Sequence, residues 1–200
     1  MAYPNFALKI KIKGIRTSIN KQLVALIFAI LFQVFAVSSL MAQNYTLSNS
    51  ASQLTVFGTS NLHDWEVVAE QQSGDIKLAN DGTLSISELK VKVISESLKS
   101  GKSGMDKNTY KALKTNSYKS IDFEMLQVKS MESVGNSNYK VTVTGNLTIA
   151  GVTKKIELSF KMGVSDSKVT LEGEKAINMT HYNVEPPTAL LGTIKTGEEL

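Results

Sequence analysis

The segment from Tyr139 to Met162 constrains the fold more than any other part of the chain. Apolar residues occupy alternate positions on both sides of the Ala150-Gly151 pair, which predicts two β-strands joined by a tight turn. The intervening positions are mostly Thr, Lys, Glu and Ser, so the opposite face is polar. Antiparallel sheets tolerate one solvated face and parallel sheets rarely do, so the pattern predicts an antiparallel hairpin rather than βαβ units.

The same alternation recurs elsewhere in the chain. The Asn80-Asp81-Gly82 run between two apolar segments predicts a second hairpin, and a change of parity at Leu89 predicts a bulge in its second strand. Residues 74–79 form the first strand of that hairpin. The remaining predicted strands lie at 53–59, 65–70 and 168–177, and at the alternation 121–125, which is followed by a turn at Gly135-Asn136. About eight strands linked by short turns predict a closed up-and-down barrel, with a β-sandwich as the alternative.

One short helix is predicted between Ser103 and Asn116. Ser103 and Asp106 stand in a capping relation, as is typical of a helix start. Two kinds of residue then fall on separate sides: Met105, Thr109, Ala112 and Leu113 on one, and Lys107, Lys111 and Lys114 on the other.

The first 42 residues have the order of a secretory signal. Five basic residues precede the apolar run from Leu23 to Val37, and small residues follow up to Ala42. The apolar core of about 15 residues is shorter than the roughly 20 that span a bilayer, which favours cleavage after Ala42 over an uncleaved anchor. We therefore expect a signal peptide at 1–42, a mature domain at 43–200, and a periplasmic or secreted protein.

Charge and cysteine content exclude several classes of function. Five of the 22 basic residues and none of the 18 acidic ones lie in the leader, which leaves 17 Lys against 18 acidic residues, a net charge of −1. A mature domain without Arg or a basic excess is a poor nucleic-acid binder. The absence of Cys excludes disulfides, Cys-ligated metals and a thiol nucleophile, and leaves no cysteine for lipid attachment.

The end of the chain carries one further strand signal. Another alternation begins after Gly197, which indicates a last strand that the sequence does not complete. An unpaired sheet edge favours strand exchange between two copies of the chain, so a homodimer is one possible oligomeric state.

Four segments together resemble the YceI-like family of exported, lipocalin-shaped proteins that bind polyisoprenoid lipids. They are GTSNLHDWEV from Gly58, MDKNTYKALKTNSYKSIDFEM from Met105, VTGNLTIAGVTKKIEL from Val143 and INMTHYNV from Ile177. The resemblance implies an all-β, antiparallel, up-and-down lipocalin-like β-barrel of about eight strands with one short α-helix. It also implies an internal apolar channel for a long prenyl chain. No cofactor is expected, and transient contact with a membrane is one possibility that the sequence leaves open. This chain has Tyr118-Lys119 where many relatives have Lys-Tyr-Pro.

The candidate ligand-binding residues fall into a wall and a mouth. Periodicity alone leaves open whether the wall is a filled core or the lining of a cavity, and the resemblance favours a cavity. The wall set is Phe123, Val143, Leu147, Ile149, Ile156, Leu158 and Phe160. At the mouth, His63 could hydrogen-bond a quinone oxygen or a phosphate and Trp65 could stack on it. The alternative is a structural pair that closes one end of the barrel.

No metal site and no catalytic site is predicted. His181 and Glu185 could share a face of a strand, but two His without Cys give a thin donor set. No Gly-x-Ser-x-Gly elbow is present, and no acidic residue sits in a recognisable catalytic setting. The sequence thus predicts a non-enzymatic carrier of a polyprenyl quinone or polyprenyl phosphate. The alternative is an envelope stress or structural protein with a packed barrel that binds another protein.

Overall fold

The computed structural model describes residues 41–189 and 191–200. Twelve strands lie in this part of the chain: β1 Met41–Thr46, β2 Thr55–Gly58, β3 Trp65–Ala69, β4 Gln72–Asn80, β5 Leu84–Ile94, β6 Leu98–Lys99, β7 Ser120–Gly135, β8 Asn138–Ile149, β9 Val152–Val164, β10 Val169–Gly173, β11 Thr188–Ala189 and β12 Ile194–Lys195. The helix α1 spans Ser103–Ala112, and short 3-10 helices span Asn49–Ala51, Ser95–Ser97 and Met179–Tyr182.

All strand pairs are antiparallel. Seven strands form one sheet in the order β1-β4-β5-β7-β8-β9-β10, which curls into a half-barrel. A three-stranded sheet, β2-β3-β6, and the hairpin β11-β12 complete the described part. The predicted all-β antiparallel fold with one short helix is confirmed.

The β8-β9 hairpin forms as predicted. Its strands pair without a register shift from Asn138 to Ile149. Ala150 (φ 48°) and Gly151 (φ 80°) both adopt the left-handed conformation that a two-residue hairpin turn requires. The predicted bulge in β5 is present as well, because Ser87 is left without a partner where Lys77 pairs with Glu88 and the next pair is Leu78 with Ile86.

One detail of the sequence prediction is wrong. The N-cap of α1 is Lys102, without a side-chain capping bond, and Asp106 instead accepts hydrogen bonds from the amide and hydroxyl of Ser100. Strand β7 runs on past the alternating residues Ile121 to Met125 and ends at Gly135, at the predicted Gly135-Asn136 turn. Three register shifts against β8 break its alternation, so the period-2 signal is lost after Met125.

Most of the predicted leader lies outside the described residues. Met41 and Ala42, the last two residues of that segment, begin β1 and pair with Asn80 and Ala79 of β4. None of the helices in the described ranges is both long and apolar enough to cross a bilayer.

The buried apolar residues form two clusters. The half-barrel cluster fills the concave face of the large sheet and comprises Ile76, Leu78, Ile86, Leu89, Phe123, Val141, Val143, Phe160 and Met162. The helix-side cluster lies between α1, the small sheet and the 3-10 helix Met179–Tyr182, and comprises Val67, Ala69, Val93, Leu98, Leu113, Ala150, Met179, Tyr182 and Val184. Leu147 packs against both clusters.

Candidate functional site: an apolar wall inside the half-barrel

Strands β8 and β9 supply the central part of the wall. Val141 pairs with Phe160 and Val143 pairs with Leu158, so these side chains project from the same face of the sheet. Val141 and Val143 are 0% exposed. Each therefore contacts only protein atoms, and the wall is tightly packed at this level.

Phe123 is held in the wall by a close approach to Gly145. A Cβ atom on Gly145 would lie 2.4 Å from the ring carbon Cζ of Phe123, which no side chain could accommodate without a shift. The phenyl ring thus lies over a position that only glycine can occupy. This contact fixes the orientation of Phe123 against β8.

Toward the Ala150-Gly151 turn the wall becomes half-buried. Leu147, Ile149, Ile156 and Leu158 all retain accessible surface, in contrast to the fully buried residues further along the hairpin. These side chains are the ones on which an apolar ligand could still bury area.

The nine predicted site residues fall into three groups. Phe123, Val143 and Phe160 belong to the half-barrel cluster, and Ile156 and Leu158 pack against it. Ile149 and Trp65 pack against the helix-side cluster, and Leu147 packs against both. His63 is exposed and belongs to neither cluster.

Trp65 begins β3 and is half-buried. Its indole Nε1 donates a hydrogen bond to the carbonyl of Thr59 at 2.9 Å, and its ring lies on Gly58, where a Cβ would come within 2.1 Å of the ring. The polar atom of the indole is thus satisfied within the protein. This geometry fits a structural side chain that covers the end of the small sheet. Only the rest of its ring surface is left for contact with a ligand.

His63 is held by a turn centred on Ser60. The Ser60 hydroxyl donates to the carbonyl of His63 and accepts from its amide. The imidazole Nδ1 lies 2.7 Å from the carbonyl oxygen of Asp64. Because a carbonyl can only accept, Nδ1 carries the proton, and Nε2 is the acceptor of the neutral ring. An exposed Nε2 of this kind can accept a hydrogen bond from a hydroxyl or protonated phosphate.

One inward-facing cation was missed by sequence reasoning. Lys154 pairs with Leu147, so it shares the face of the apolar wall, and it is exposed. The sequence does contain the signal for this placement, because position 154 has the same parity as Val152, Ile156 and Leu158 and so falls on the apolar face. The apolar pattern alone gives no function to a lysine on that face. It places an ammonium group beside the half-buried end of the wall.

The two residues weighed as metal ligands give no metal site. His181 lies in the last turn of the 3-10 helix, and both His181 and Glu185 are exposed. Within the described ranges, no three His, Asp or Glu side chains come together as a metal ion would require. Next to them, burial in the helix-side cluster raises the pKa of Tyr182, which therefore stays a neutral phenol.

Comparison with known proteins places this geometry in a family. A model of the YceI-like domain matches residues 45–199. BcnA from Burkholderia cenocepacia has a similar structure, with a TM-score of 0.56 and 14% identity over 75% of this chain and 95% of that one. So does a polyisoprenoid binding domain from Saccharophagus degradans implicated in plant cell wall breakdown, with a TM-score of 0.56 and 16% identity over 74% of this chain and 83% of that one.

No curated protein sequence matches the chain. At identities this low, the two solved structures establish likeness of fold alone, and it is the family model that carries the assignment. That model covers more than half of the chain, including all nine predicted site residues. The chain belongs to the YceI-like family.

Proposed function

We propose that this protein binds a polyisoprenoid amphiphile, a polyprenyl quinone or polyprenyl phosphate, with the prenyl tail against the apolar wall. The observation that carries the proposal is the half-buried row Leu147, Ile156 and Leu158, which continues the buried wall toward the Ala150-Gly151 turn. A prenyl tail gains about 25 cal/mol per Å² of apolar surface that it buries there. Family membership and the description of the Saccharophagus degradans domain as polyisoprenoid binding support this choice of ligand.

The head group would be selected by polar groups at the margin of the wall. His63 offers an acceptor at Nε2 to a protonated phosphate oxygen but not to a quinone carbonyl, which has no proton to donate. Trp65 offers the free part of its ring for stacking on a quinone ring. Lys154 offers a cation to a phosphate. Affinity then comes mainly from the tail, and selectivity between quinone and phosphate comes from these few polar contacts.

We also infer that the protein acts after export, as a carrier or scavenger without catalytic activity. The signal-like order of residues 1–42 supports export to the periplasm or the exterior. The half-barrel cluster consists of aliphatic, aromatic and methionine side chains, which suits the binding of an apolar chain rather than acid, base or nucleophilic chemistry.

A packed barrel that serves as an interaction module is the second candidate. It is favoured by the complete burial of Val141, Val143 and Met162, each 0% exposed, because the interior at that level is already filled by protein. The two candidates differ in whether the half-buried end of the wall takes up a lipid.

Native mass spectrometry of the protein purified from its own host, followed by organic extraction, tests the proposal directly. We expect one prenyl lipid per protein, whose head group the extract identifies. An empty, folded protein that also fails to take up added prenyl quinone and prenyl phosphate would contradict lipid binding and favour the interaction module.

Two pairs of variants locate the site. We expect Leu158→Gln to reduce lipid uptake about tenfold or more, because a polar side chain replaces contact area on the wall. Leu126→Gln is the matched control, since Leu126 is 51% exposed in β7. Thermal melting shows whether each variant is folded. A folded Leu158→Gln protein with normal uptake would contradict the assigned wall.

Replacement of His63 by Ala tests the head-group contact. We expect the preference between quinone and phosphate to change while tail binding remains. The chain offers His181→Ala as a control, because His181 is the only other histidine and is also exposed. An unchanged ligand preference in His63→Ala would remove His63 from the site.

A further inference from the structure

A basic segment surrounds helix α1. Between Lys99 and Lys119 the chain carries six lysines and one acidic residue, Asp106, whereas the whole of 43–200 has 17 lysines and 18 acidic residues. Positive charge is therefore concentrated in one short segment of a domain that is balanced overall. Such a local excess requires an explanation beyond solubility.

Three of these lysines converge on one open depression. Lys107 and Lys111 are one helical turn apart on α1, and Lys114 follows the C-cap residue Leu113. All three are exposed and line a depression of about 550 Å³. The other residues around it are Glu96, Tyr110, Thr115, Asn116 and Ser117.

These ammonium groups are not neutralised by carboxylates. In the described part of the chain, Lys107, Lys111 and Lys114 form no ion pair, and the Nζ of Lys114 donates to the backbone carbonyl of Asn183. The one carboxylate in the depression, Glu96, accepts a hydrogen bond from the Thr115 hydroxyl at 2.8 Å. The depression thus keeps a net positive charge.

Some lysines on the outer face of the large sheet lie beside carboxylates. Lys77 pairs with Glu88 at 3.2 Å, and Lys92 pairs with Asp122 at 3.6 Å. Other sheet lysines form no ion pair among the described residues, so the absence of a partner alone does not distinguish α1. The distinguishing feature is that three lysines without a carboxylate partner line one depression. Favourable interaction with the C-terminal end of the helix dipole accounts for Lys111, which lies in the last turn, but not for the whole group.

We propose that this lysine face of α1 docks on a bilayer that contains anionic phospholipid. An open surface with several exposed ammonium groups complements a plane of phosphates better than it encloses one small anion. Tyr118, 40% exposed, lies in the same basic segment, and its ring lies against Gly151 of the β8-β9 turn. Docking here would bring the half-buried end of the apolar wall close to the membrane.

The docking inference goes beyond lipid binding inside the barrel and does not depend on it. Vesicle binding is carried by charge and can be measured on protein with or without a bound lipid. Lipid uptake is measured separately by mass spectrometry. Failure of one proposal is therefore distinguishable from failure of the other.

The test compares binding of the protein, as its host produces it, to phosphatidylcholine vesicles with and without about 30 mol % phosphatidylglycerol. We expect binding only to the anionic vesicles, and weaker binding at higher ionic strength. The triple variant K107Q/K111Q/K114Q should bind roughly a hundredfold more weakly, since each lysine near an anionic surface contributes about tenfold or less.

The matched control is K140Q/K155Q/K161Q. These three lysines are exposed on β8 and β9 and form no ion pair among the described residues, so the control makes the same change in net charge on a different face. It should bind anionic vesicles within about threefold of the unmodified protein, as expected when the charges lie away from the contact.

A further variant guards against loss of structure. The pair K107Q/K111Q leaves the Lys114–Asn183 hydrogen bond intact and should still weaken binding roughly tenfold or more. Equal losses in the triple variant and the sheet control would overturn the docking face. Equal binding to neutral and anionic vesicles would also overturn it. If inorganic phosphate displaces the vesicles, the depression is a pocket for a small anion instead of a docking face.

Discussion

The half-barrel cluster and the helix-side cluster are buried to similar extents, but they are assembled in different ways. In the half-barrel cluster, neighbouring strands are joined mostly by hairpins, and wall residues meet across regular ladders such as the β8-β9 pairing. In the helix-side cluster, Val67, Leu113 and Tyr182 come from three distant segments, and Trp65 packs against them. Regular ladders make the first cluster cooperative, whereas the second depends on individual side chains and caps.

This difference teaches where function can be placed. A wall that is continuous with a ladder keeps its shape when a ligand leaves, so it suits the tail of a lipid. Loops and a helix anchored by single contacts can adjust, so they suit head-group selection and docking.

Burial of a charge in the half-barrel cluster should abolish folding. Val141 is 0% exposed, and Val141→Asp would place a carboxylate where no partner is available, at a cost of about 4 kcal/mol or more. Urea unfolding followed by far-UV circular dichroism measures the loss. Val134→Asp serves as the control, because Val134 is 66% exposed in β7 and should tolerate a charge. Equal stability of the two variants would show that the ladder does not define a rigid core.

A methyl group on Gly145 should destabilise the wall by about 1 to 3 kcal/mol, because the Phe123 ring and the Glu124 carbonyl must both move. Gly104→Ala is the opposing control: it lies in α1 with open space around it and should be neutral or slightly stabilising. Both free energies of unfolding come from urea titration. Phe123→Leu should partly rescue Gly145→Ala, and absence of rescue would mean that the clash lies elsewhere.

The same contrast explains which features could be predicted from the sequence. Alternation and turn residues are local signals, so the β8-β9 hairpin and the bulge at Ser87 were predictable. The second half of β7 was not, because each of its three register shifts reverses the parity on which the signal depends.

Features that depend on distant contacts escaped prediction. Asp106 accepts hydrogen bonds from Ser100 and does not form a capping pair with Ser103. This choice depends on the path of the chain into the helix, and residue spacing does not specify that path. Likewise, the sequence allows the indole of Trp65 either to stack on a ligand or to make a structural contact. The hydrogen bond to the Thr59 carbonyl is what indicates the structural contact. The apolar wall was therefore predictable as a set, but the polar margin was not.

Loss of one polar contact in the helix-side cluster should have a moderate effect. Trp65→Phe removes the donor to the Thr59 carbonyl and leaves that carbonyl without its partner, at a cost of about 1 to 2 kcal/mol. Trp65 is the only tryptophan, so its fluorescence also reports on this cluster in the unmodified protein. We expect the fluorescence transition at a lower urea concentration than the circular dichroism transition. Coincident transitions would mean that the two clusters unfold as one unit.

The smallest expected effect is the pH dependence of the Asp106 anchor. Hydrogen bonds from the Ser100 hydroxyl and amide lower the pKa of Asp106 below its ordinary value of 3.8. A lowered pKa in the folded state means that the ionised carboxylate adds stability above about pH 4, and that this stability is lost as the pH falls through the folded-state pKa. Because the group is near the surface, the contribution should be about 0.5 kcal/mol or less.

Asp106→Asn measures this contribution directly. The difference in free energy of unfolding between the unmodified protein and the variant should be largest at neutral pH and should shrink toward pH 3, where Asp106 is increasingly protonated in the unmodified protein. Asp81→Asn, in the exposed β4-β5 turn, corrects for the general effect of a lost negative charge. If the two variants respond alike to acid, the start of α1 is held by the backbone alone. The lysine face would then keep its place without Asp106, and α1 would be less dependent on single side-chain contacts than the rest of the helix-side cluster.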